Sequence, residues 1–352
     1  MTAMLPDGRR LGAHLQVGDG IVKAADRAAE IGATALQIFG DNPTAWKRRA
    51  EPPAAQEAFR DRLAQHGIAP LVVHASYLVN LAGPDPDFFE RSIALLAAEL
   101  RDAPANGAHF VNVHIGSHRG TGVEAGTERV AEGIARALEA STQAAPTEVD
   151  GEPDATGEPD AAGEPATILL ENSSGGGWGL GVNVEELAAI AEAIERRGIP
   201  RRRVGFTLDA AHAWGAGHDL SDPAATDALI VDFDAQIGLD RLLVVHLNDS
   251  KSALGSRMDR HEHIGAGLIG EAGIAHLLRH PLLSEAAYIL ETPGMDEGYD
   301  AINVARAIAL ARGEPLAPLP PGALTLKGSR SKSAARIAPA TLDESPESPL
   351  DR

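Results

Sequence analysis

Cysteine is absent from this chain of 352 residues. The absence excludes disulfide bonds and thiolate metal sites, so any zinc ion would have to be bound by histidine, aspartate and glutamate side chains. Histidine is available for this purpose, since the chain contains 13 of them. The composition therefore permits a zinc site only if it is built from imidazole and carboxylate groups.

Long apolar runs are also missing. No stretch approaches the ~20 apolar residues that span a bilayer, and the first segment, MTAMLPDGRRLGAHLQ, lacks the apolar core of a signal peptide. A hydrophobic content of 44% with 23% charged residues is typical of a globular protein. We therefore expect a cytoplasmic protein without a membrane partner.

Positive charge is scarce, because 31 Lys and Arg stand against 50 Asp and Glu and give a formal net charge of −19. Such a balance argues against a polyanion-binding protein, which usually presents a basic patch. However, seven of the acidic residues lie in the GEPDA-like repeats of residues 144–166, which contain no Lys or Arg. We expect this insert to be disordered, together with a tail over residues 313–352, and we expect one folded domain over residues 1–312.

Eight short apolar runs of strand length recur along the rest of the chain. Each is followed by a stretch with helical periodicity, for example VEELAAIAEAIERRG and AINVARAIALARG. Eight β-then-α units in sequence predict an α/β fold, the (β/α)₈ TIM barrel. The predicted strands are LGAHLQ (11–16), ALQIFG (35–40), LVVHAS (71–76), FVNVHIG (110–116), TILLENS (167–173), VGFTLDA (204–210), LLVVHLNDS (242–250) and YILETP (288–293).

Titratable residues stand at the ends of six of these runs, and His212 follows the end of the sixth run, Asp209, by three residues. Active sites of this fold gather at the carboxyl ends of the strands, and burying so many titratable groups together is costly unless metal ions neutralise the carboxylates. The segment DRHEHIGAGLIG (259–270) adds two more candidates in the loop after the seventh strand, because alternate residues of an extended chain point the same way. Five histidines and four carboxylates suit three zinc ions. The nine candidate ligands are His74, His114, Glu171, Asp209, His212, His246, Asp259, His261 and Glu291.

The motifs that carry these residues resemble the endonuclease IV family of zinc-dependent apurinic/apyrimidinic endonucleases. The resemblance covers about residues 10–312 apart from the acidic insert. The matching segments include GAHLQVGDGIVKAADRAAEIGATALQIF, VVHASYLVNLAGP, NVHIGSH, ILLENSSGGGWGLG, VGFTLDAAHAWGAGHDL, HLNDSKSALGSRMDRHEHIGAGLIG and ILETP.

The resemblance implies how the nine ligands are shared among three zinc ions. One ion would be held by His74, His114 and Glu171. A second would be held by Glu171, Asp209, His246 and Glu291, so that Glu171 bridges two ions. The third would be held by His212, Asp259 and His261. His263 would not be a ligand: it would act behind the ligands or contact phosphate, or it would simply lie in solvent.

The activity implied by the resemblance is DNA repair. The enzyme would hydrolyse the phosphodiester 5′ to an abasic site in duplex DNA, leave a 3′-hydroxyl and a 5′-deoxyribose phosphate, and trim blocked 3′ ends. Glu171 and Glu291 would be its catalytic residues, and the zinc ions would lower the pKa of bound water and stabilise the departing oxygen. We expect a monomer whose partner is abasic duplex DNA.

Recognition of a missing base should depend on side chains that enter the duplex. Tyr77 and Leu78 match two such residues of the resembled family. Thr44 stands where that family often has an arginine, so this part of the contact departs from the pattern. Trp46, close by, could stack on a base or simply pack in the core.

Two other classes of function remain open at this point. A sugar isomerase or epimerase resembling xylose isomerase would share the barrel and bind metals with Glu, Asp and His, but it would need fewer ligands. The set of His212, Asp259 and His261 discriminates against it. A catalytically silent DNA-lesion binder would have no need for a complete ligand set.

Overall fold

Eight parallel strands close into a barrel in the computed structural model, which describes residues 4–48, 55–142, 165–295 and 297–325. Each strand pairs with its sequence neighbours, and the last barrel strand closes on the first, with Tyr288 paired to Leu11. The prediction of a TIM barrel is confirmed, and each predicted run contains a barrel strand. These are β1 (Leu11–His14), β2 (Ala35–Phe39), β3 (Leu71–His74), β4 (Phe110–His114), β5 (Thr167–Glu171), β6 (Val204–Asp209), β7 (Leu242–Leu247) and β10 (Ala287–Leu290).

Helices pack around the barrel in the order that the apolar periodicity predicts. Several begin at an acidic or amide side chain that accepts a hydrogen bond from the first turn, as Asp85 does from the Phe88 N–H at 2.9 Å. The helices are α1 (Ile21–Glu30), α2 (Gln56–His66), α3 (Pro86–Asp102), α4 (Val123–Thr142), α5 (Val184–Arg196), α6 (Ala210–Ala216), α7 (Pro223–Gln236), α8 (Gly270–Arg279) and α9 (Asp300–Arg312).

The barrel interior is built in layers, and this layering positions the site. A small cluster of fully buried apolar residues fills the middle of the barrel. Side chains two residues further along a strand point to the same side, so the next layer towards the carboxyl end lies directly above this cluster. That layer is polar: Gln37, His74, Glu171, His246 and Glu291 follow Ala35, Val72, Leu169, Val244 and Ile289, each by two residues.

Gly12 on β1 is required by the closeness of the strands. A Cβ atom at this position would lie 2.0 Å from the Ala35 carbonyl oxygen on β2, which is far inside van der Waals contact. Glycine thus permits β1 to close the barrel, and it places His14, two residues later, in the polar layer.

The loop after β7 forms a small antiparallel hairpin of β8 (Asp249–Ser250) and β9 (His261–Glu262). The Asp249 carboxylate accepts hydrogen bonds from the backbone N–H groups of Gly267 (3.0 Å) and Ile269 (2.9 Å). A Cβ at Gly267 would lie 2.5 Å from this carboxylate, so glycine is needed for the backbone to approach it. The glycines that follow the DRHEH motif therefore fix the loop that carries Asp259 and His261.

The predicted tail begins later than residue 313, which corrects that boundary. Residues 313–325 are described and pack on the barrel, where Ala323 is fully buried and the Ala317 carbonyl accepts a hydrogen bond from Arg306 at 2.5 Å. His263 is buried against the same segment, with its Nε2 3.3 Å from the Ala323 carbonyl and its Nδ1 3.0 Å from the Asn303 amide nitrogen. It therefore ties the hairpin loop to the carboxyl-terminal segment and neither lies in solvent nor faces the ligands.

Most of the acidic insert and residues 326–352 lie outside the described residues, as do the predictions of disorder for them. Ala166, at the end of the predicted insert, is buried at the start of β5. Among the described helices, none combines the length and the apolar character needed to cross a membrane.

Candidate metal centre

Glu171 is the centre of the polar layer. It is 1% exposed, and its two oxygens face different imidazoles. Oε2 lies 3.6 Å from His74 Nε2 and 3.4 Å from His114 Nε2, whereas Oε1 lies 3.1 Å from His212 Nδ1 and 3.4 Å from His246 Nδ1. Because Oε2 faces the Nε2 atoms of His74 and His114 while Oε1 faces Nδ1 of His246, this carboxylate has the geometry to bridge two metal ions.

A second group of ligands lies beside it and includes the two residues of the hairpin loop. Asp209 and the imidazoles of His212 and His261 can meet around one point. Asp259 contacts the same imidazoles, with Oδ2 3.3 Å from His212 Nε2 and Oδ1 2.9 Å from His261 Nε2. The structure thus brings Asp259 and His261 over the mouth of the barrel.

The contacts of the His246 ring show that these residues fit a metal ion. Its Nδ1 is buried without a hydrogen-bond partner, yet it faces carboxylate oxygens of Glu171 at 3.4 Å, Glu291 at 3.7 Å and Asp209 at 3.8 Å. Its Nε2 lies 2.9 Å from Gln37 Oε1, which can only accept, so Nε2 carries a proton, and Nδ1 presents a lone pair once its own proton is displaced. A buried lone pair directed at three carboxylates fits a cation between them.

Two other imidazoles are oriented in the same way by a ring nitrogen that contacts the backbone. His74 Nδ1 lies 2.7 Å from the Ala75 carbonyl oxygen, and His212 Nδ1 lies 2.9 Å from the Asn172 carbonyl oxygen. Each therefore donates Nδ1–H to the backbone and directs the Nε2 lone pair into the cluster. This arrangement is typical of histidine that ligates a metal.

The charges of the cluster neutralise one another. Burial alone would lower the pKa of the histidines, but the neighbouring carboxylates outweigh it and raise the pKa of His246 to about 9 and that of His261 to about 10. Burial likewise opposes ionisation of Glu171 and Glu291, but the facing imidazoles hold the pKa of both below the ordinary value. Metal uptake would therefore displace protons and weaken in acid.

Sequence reasoning missed a set of buried polar residues that hold the ligands. Gln37 donates to Glu291 Oε1 at 2.5 Å, and His14 Nδ1 lies 3.1 Å from the same oxygen. Asn112 donates to Glu171 Oε2 at 2.6 Å and accepts from the Thr207 hydroxyl at 2.6 Å. A signal was available in the sequence, because these residues interrupt apolar strands with the same two-residue spacing as the ligands.

The side chains expected to contact DNA differ in how exposed they are and in the contacts that they already make. Tyr77 is 47% exposed and lies over the mouth, with its ring 5.6 Å from that of His74, whereas Leu78 packs partly into the core. The Thr44 hydroxyl is engaged by Asn42 Oδ1 at 2.9 Å within its own turn. Trp46 packs against the core, and the Arg91 guanidinium covers its ring at 4.0 Å, so this face of the indole is not free for a base.

A further histidine and aspartate cluster lies on the outer helices and has a different geometry. Asp227 on α7 contacts His276 Nε2 at 2.6 Å and His280 Nε2 at 3.2 Å. At 2.6 Å the contact between Asp227 and His276 is a hydrogen bond, and in this structure the triad ties α8 to α7.

Comparison with known proteins agrees with this architecture. Residues 25–312 match the family model of the xylose isomerase-like TIM barrel. The chain is similar to the "Probable endonuclease 4" of Methanoculleus marisnigri, at 40% identity over 86% of this chain and 98% of that protein. It is also similar to that of Halothermothrix orenii, at 38% identity over 84% and 99%.

Solved structures give the same result. Endonuclease IV from Thermus thermophilus superposes with a TM-score of 0.70 at 35% identity and covers 86% of this chain and 99% of its own. A D-tagatose 3-epimerase-like protein matches with a TM-score of 0.57 at 16% identity and therefore shares the fold alone. The fold and site define a metal-dependent enzyme on a xylose isomerase-like barrel. Within that class, the chain belongs to the endonuclease IV family and is a nuclease of this type.

Proposed function

We propose that the protein hydrolyses the phosphodiester 5′ to abasic sites in duplex DNA, leaving a 3′-hydroxyl and a 5′-deoxyribose phosphate, and that it also trims blocked 3′ ends. The observation that supports this most directly is the combination of nine convergent ligands with imidazoles whose outer nitrogens are already hydrogen-bonded. We further propose that the protein acts as a monomer in the cytoplasm.

The ligands suit three zinc ions, divided as the resemblance to the endonuclease IV family implies. His74, His114 and Glu171 would hold one, and Glu171, Asp209, His246 and Glu291 a second. His212, Asp259 and His261 would hold the third, with Asp209 close enough to share it. When bound, zinc ions supply a nucleophile at neutral pH and neutralise phosphate charge.

The chain's own residues then position the reaction. Glu171 is fixed by Asn112 and is shared by two groups of imidazoles, while Glu291 is fixed by Gln37 and His14 on the opposite wall. These two carboxylates would play the catalytic roles, because they hold the metal pair in one geometry. Tyr77 covers the edge of the mouth and would exclude water on the side where the sugar enters, with Leu78 supporting it.

Exposed arginines at the rim of the barrel can bind DNA locally although the net charge of the whole protein is negative. Arg119, Arg257 and Arg260 are exposed, and no acidic side chain in the described part of the chain forms an ion pair with them. They lie on the loops after β4 and β7, next to the ligands His114 and Asp259. Exposed guanidinium groups without a carboxylate partner would bind the phosphates of DNA on either side of the cleaved bond.

The test is incubation with a duplex that carries one synthetic abasic site, with and without a chelator. We expect a single cut 5′ to the site, ending in a 3′-hydroxyl, and loss of the cut after chelation that added zinc restores. A parallel assay with a 3′-phosphoglycolate end tests the trimming activity. Absence of cleavage by zinc-loaded protein, together with epimerisation of a ketose sugar, would support the sugar-isomerase class in its place.

Metal content tests the assignment of the third site. Zinc-loaded protein should contain about three ions, and His261→Ala should contain one fewer and cleave at least ~100-fold more slowly while its melting temperature stays close to that of the parent. Elemental analysis measures the first quantity. At most one tightly bound ion in the parent would refute the trinuclear assignment.

A further inference from the structure

Trp178 is more exposed than any other large apolar side chain of the described residues, at 64%. The other two tryptophans of the chain are packed: Trp214 is 5% exposed, and Trp46 lies partly against the core. An indole left in water forgoes the stabilisation that burial would give it, and tryptophan prefers sites where an apolar partner covers its ring. Its exposure therefore requires a reason.

The loop that carries Trp178 is firmly held. The Trp178 carbonyl accepts a hydrogen bond from the His118 N–H at 3.1 Å, and the Leu180 N–H donates to the Gly116 carbonyl at 3.0 Å. Ser117 and Gly179 form an isolated β-bridge between the two loops. Trp178 itself has a positive φ of 67°, a conformation that a bulky residue rarely adopts. The backbone thus holds the indole outward in a strained conformation.

The position of this loop connects it to the metal centre. It follows Glu171 at the end of β5 and lies between the loops after β4 and β7. A Cβ at Gly176 would lie 2.7 Å from the Arg257 carbonyl, so the loop packs directly on the segment that leads to Asp259. Arg257 is exposed on this segment, and its Cγ would lie 3.8 Å from a Cβ at Gly175, in the loop that carries Trp178. Arg119, also exposed, follows His118 on the loop after β4, and its guanidinium lies 5.8 Å from the centre of the Phe88 ring.

We propose that Trp178, together with the exposed Arg119 and Arg257 of the two neighbouring loops, forms a contact surface for the DNA strand that flanks the cleaved phosphate. We call these three residues the Trp178 patch. The indole packs on an unstacked base or on the apolar face of a deoxyribose, and the guanidinium groups bind the adjacent phosphates. This inference rests on the proposed function, because it names residues that select the substrate at the same site.

The main structural alternative is that Trp178 covers His118, whose ring centroid lies 5.7 Å from its own. This contact meets only part of the indole, since 64% of the residue remains exposed. If covering His118 were the whole role, replacing Trp178 would lower the melting temperature and leave DNA binding unchanged. A role in covering His118 and a role in contacting DNA therefore predict different results for the same variant.

The first experiment compares the steady-state kinetics of zinc-loaded parent, Trp178→Ala and Trp178→Phe on a duplex with one tetrahydrofuran abasic analogue. We expect Trp178→Ala to raise KM about 5- to 100-fold, the range of one lost stacking contact, with a smaller change in kcat and in melting temperature. Trp178→Phe should recover most of the loss. Leu282→Ala is a matched control: Leu282 is 47% exposed, but it lies between α8 and β10 on the opposite face of the barrel.

The second experiment follows the indole directly. Tryptophan emission should be quenched when the parent binds the nicked product duplex, and this quenching should be absent in Trp178→Phe, because Trp46 and Trp214 are packed. Arg119→Ala should reduce the dependence of log affinity on log salt by about one phosphate contact.

The outcomes separate this inference from the proposed function. If the parent cleaves the abasic duplex while Trp178→Ala has the parent's KM and the emission does not change, the Trp178 patch is not a DNA contact. If the parent does not cleave the duplex at all, the proposed function itself is wrong.

Discussion

Single hydrogen bonds determine which ring nitrogen of each imidazole in the metal centre is available to bind a metal ion. His246 is the clearest case, because one buried amide oxygen, that of Gln37, accepts its Nε2–H at 2.9 Å. The same Gln37 donates its amide N–H to Glu291 at 2.5 Å. One side chain therefore orients two proposed ligands of the same ion, which face each other at 3.7 Å.

This dual role predicts the effect of Gln37→Leu. The leucine leaves the His246 N–H without an acceptor and Glu291 without its donor, so we expect affinity for zinc to fall about 10- to 100-fold, as is typical when a partner behind a ligand is lost. Competition with a chromogenic chelator measures the affinity. Gln37→Glu keeps an acceptor for the Nε2–H of His246, so it should not disturb the orientation of that imidazole. It does, however, place a like charge beside Glu291. Unchanged affinity in Gln37→Leu would contradict the assigned tautomer of His246.

Tyr77 is a second single residue whose replacement should have a measurable effect. Its exposed ring extends the row of rings formed by Phe39 and His74 towards solvent, and Thr44 cannot replace it because its hydroxyl is engaged by Asn42. We expect Tyr77→Ala to weaken binding to abasic duplex about 10-fold, within the range for a lost aromatic contact, without changing metal content. Thr44→Arg should strengthen binding or leave it unchanged. A binding titration at fixed salt with an intact abasic duplex, in an inactive Glu291→Gln background, decides the matter, and equal affinity with and without Tyr77→Ala would exclude Tyr77 as a contact.

At the scale of strands and helices, the sequence predicts the barrel well because its strands are short apolar runs and its helices are periodic. It also predicts the proposed ligands, since a polar residue at the end of such a run reaches the carboxyl face. It does not reveal the packing of residues 313–325, because a segment such as LAPLPPGA has no periodicity, and its contact with Arg306 depends on tertiary structure. His263 was misassigned for the same reason: its partners Asn303 and Ala323 are distant in sequence.

Helix α3 contains a buried acid that makes stability depend on pH. Glu99 is 2% exposed, and burial raises its pKa to about 7 even though Arg48 Nη1 lies 2.7 Å from its Oε1. The folded state then binds the proton more tightly than the unfolded state, whose glutamate titrates near 4.5. The stability contributed by this group is therefore present below about pH 4.5 and is lost as pH rises to about 7.

Glu99→Gln tests this dependence. We expect the free energy of unfolding of the variant, relative to that of the parent, to rise by about 2–3 kcal/mol between pH ~5 and pH ~8. Urea unfolding at both pH values measures it, and the pH effects of the metal ligands cancel because both proteins contain them. Glu90→Gln on the same helix is the control, since Glu90 is exposed and Arg136 lowers its pKa. Parallel stability curves for parent and Glu99→Gln would show that Glu99 has an ordinary pKa in the folded protein.

At the scale of the whole molecule, the attachment points of the acidic insert and the proposed DNA surface lie on different faces of the barrel. Helix α4 ends at Thr142 and β5 begins at Thr167, so the acidic insert leaves from the face opposite the metal centre. Strand β5 separates that face from Glu171 by four residues, or ~13 Å at the rise of a parallel strand. This distance exceeds the Debye length of ~8 Å at physiological ionic strength.

The separation predicts what removal of residues 147–164 does. The deletion eliminates seven of the 50 acidic residues, yet at physiological salt we expect kcat/KM on an abasic duplex to stay within about twofold, because the attachment points lie beyond the screening distance. At ~0.01 M salt the Debye length grows to ~30 Å, so the deletion should then lower KM several-fold by removing repulsion of the DNA. A variant with the seven acids changed to Asn and Gln at constant length separates charge from chain length and should reproduce the low-salt effect. A change of tenfold or more at physiological salt in the deletion alone, with the amide variant unaffected, would instead mean that the insert itself reaches the mouth of the barrel.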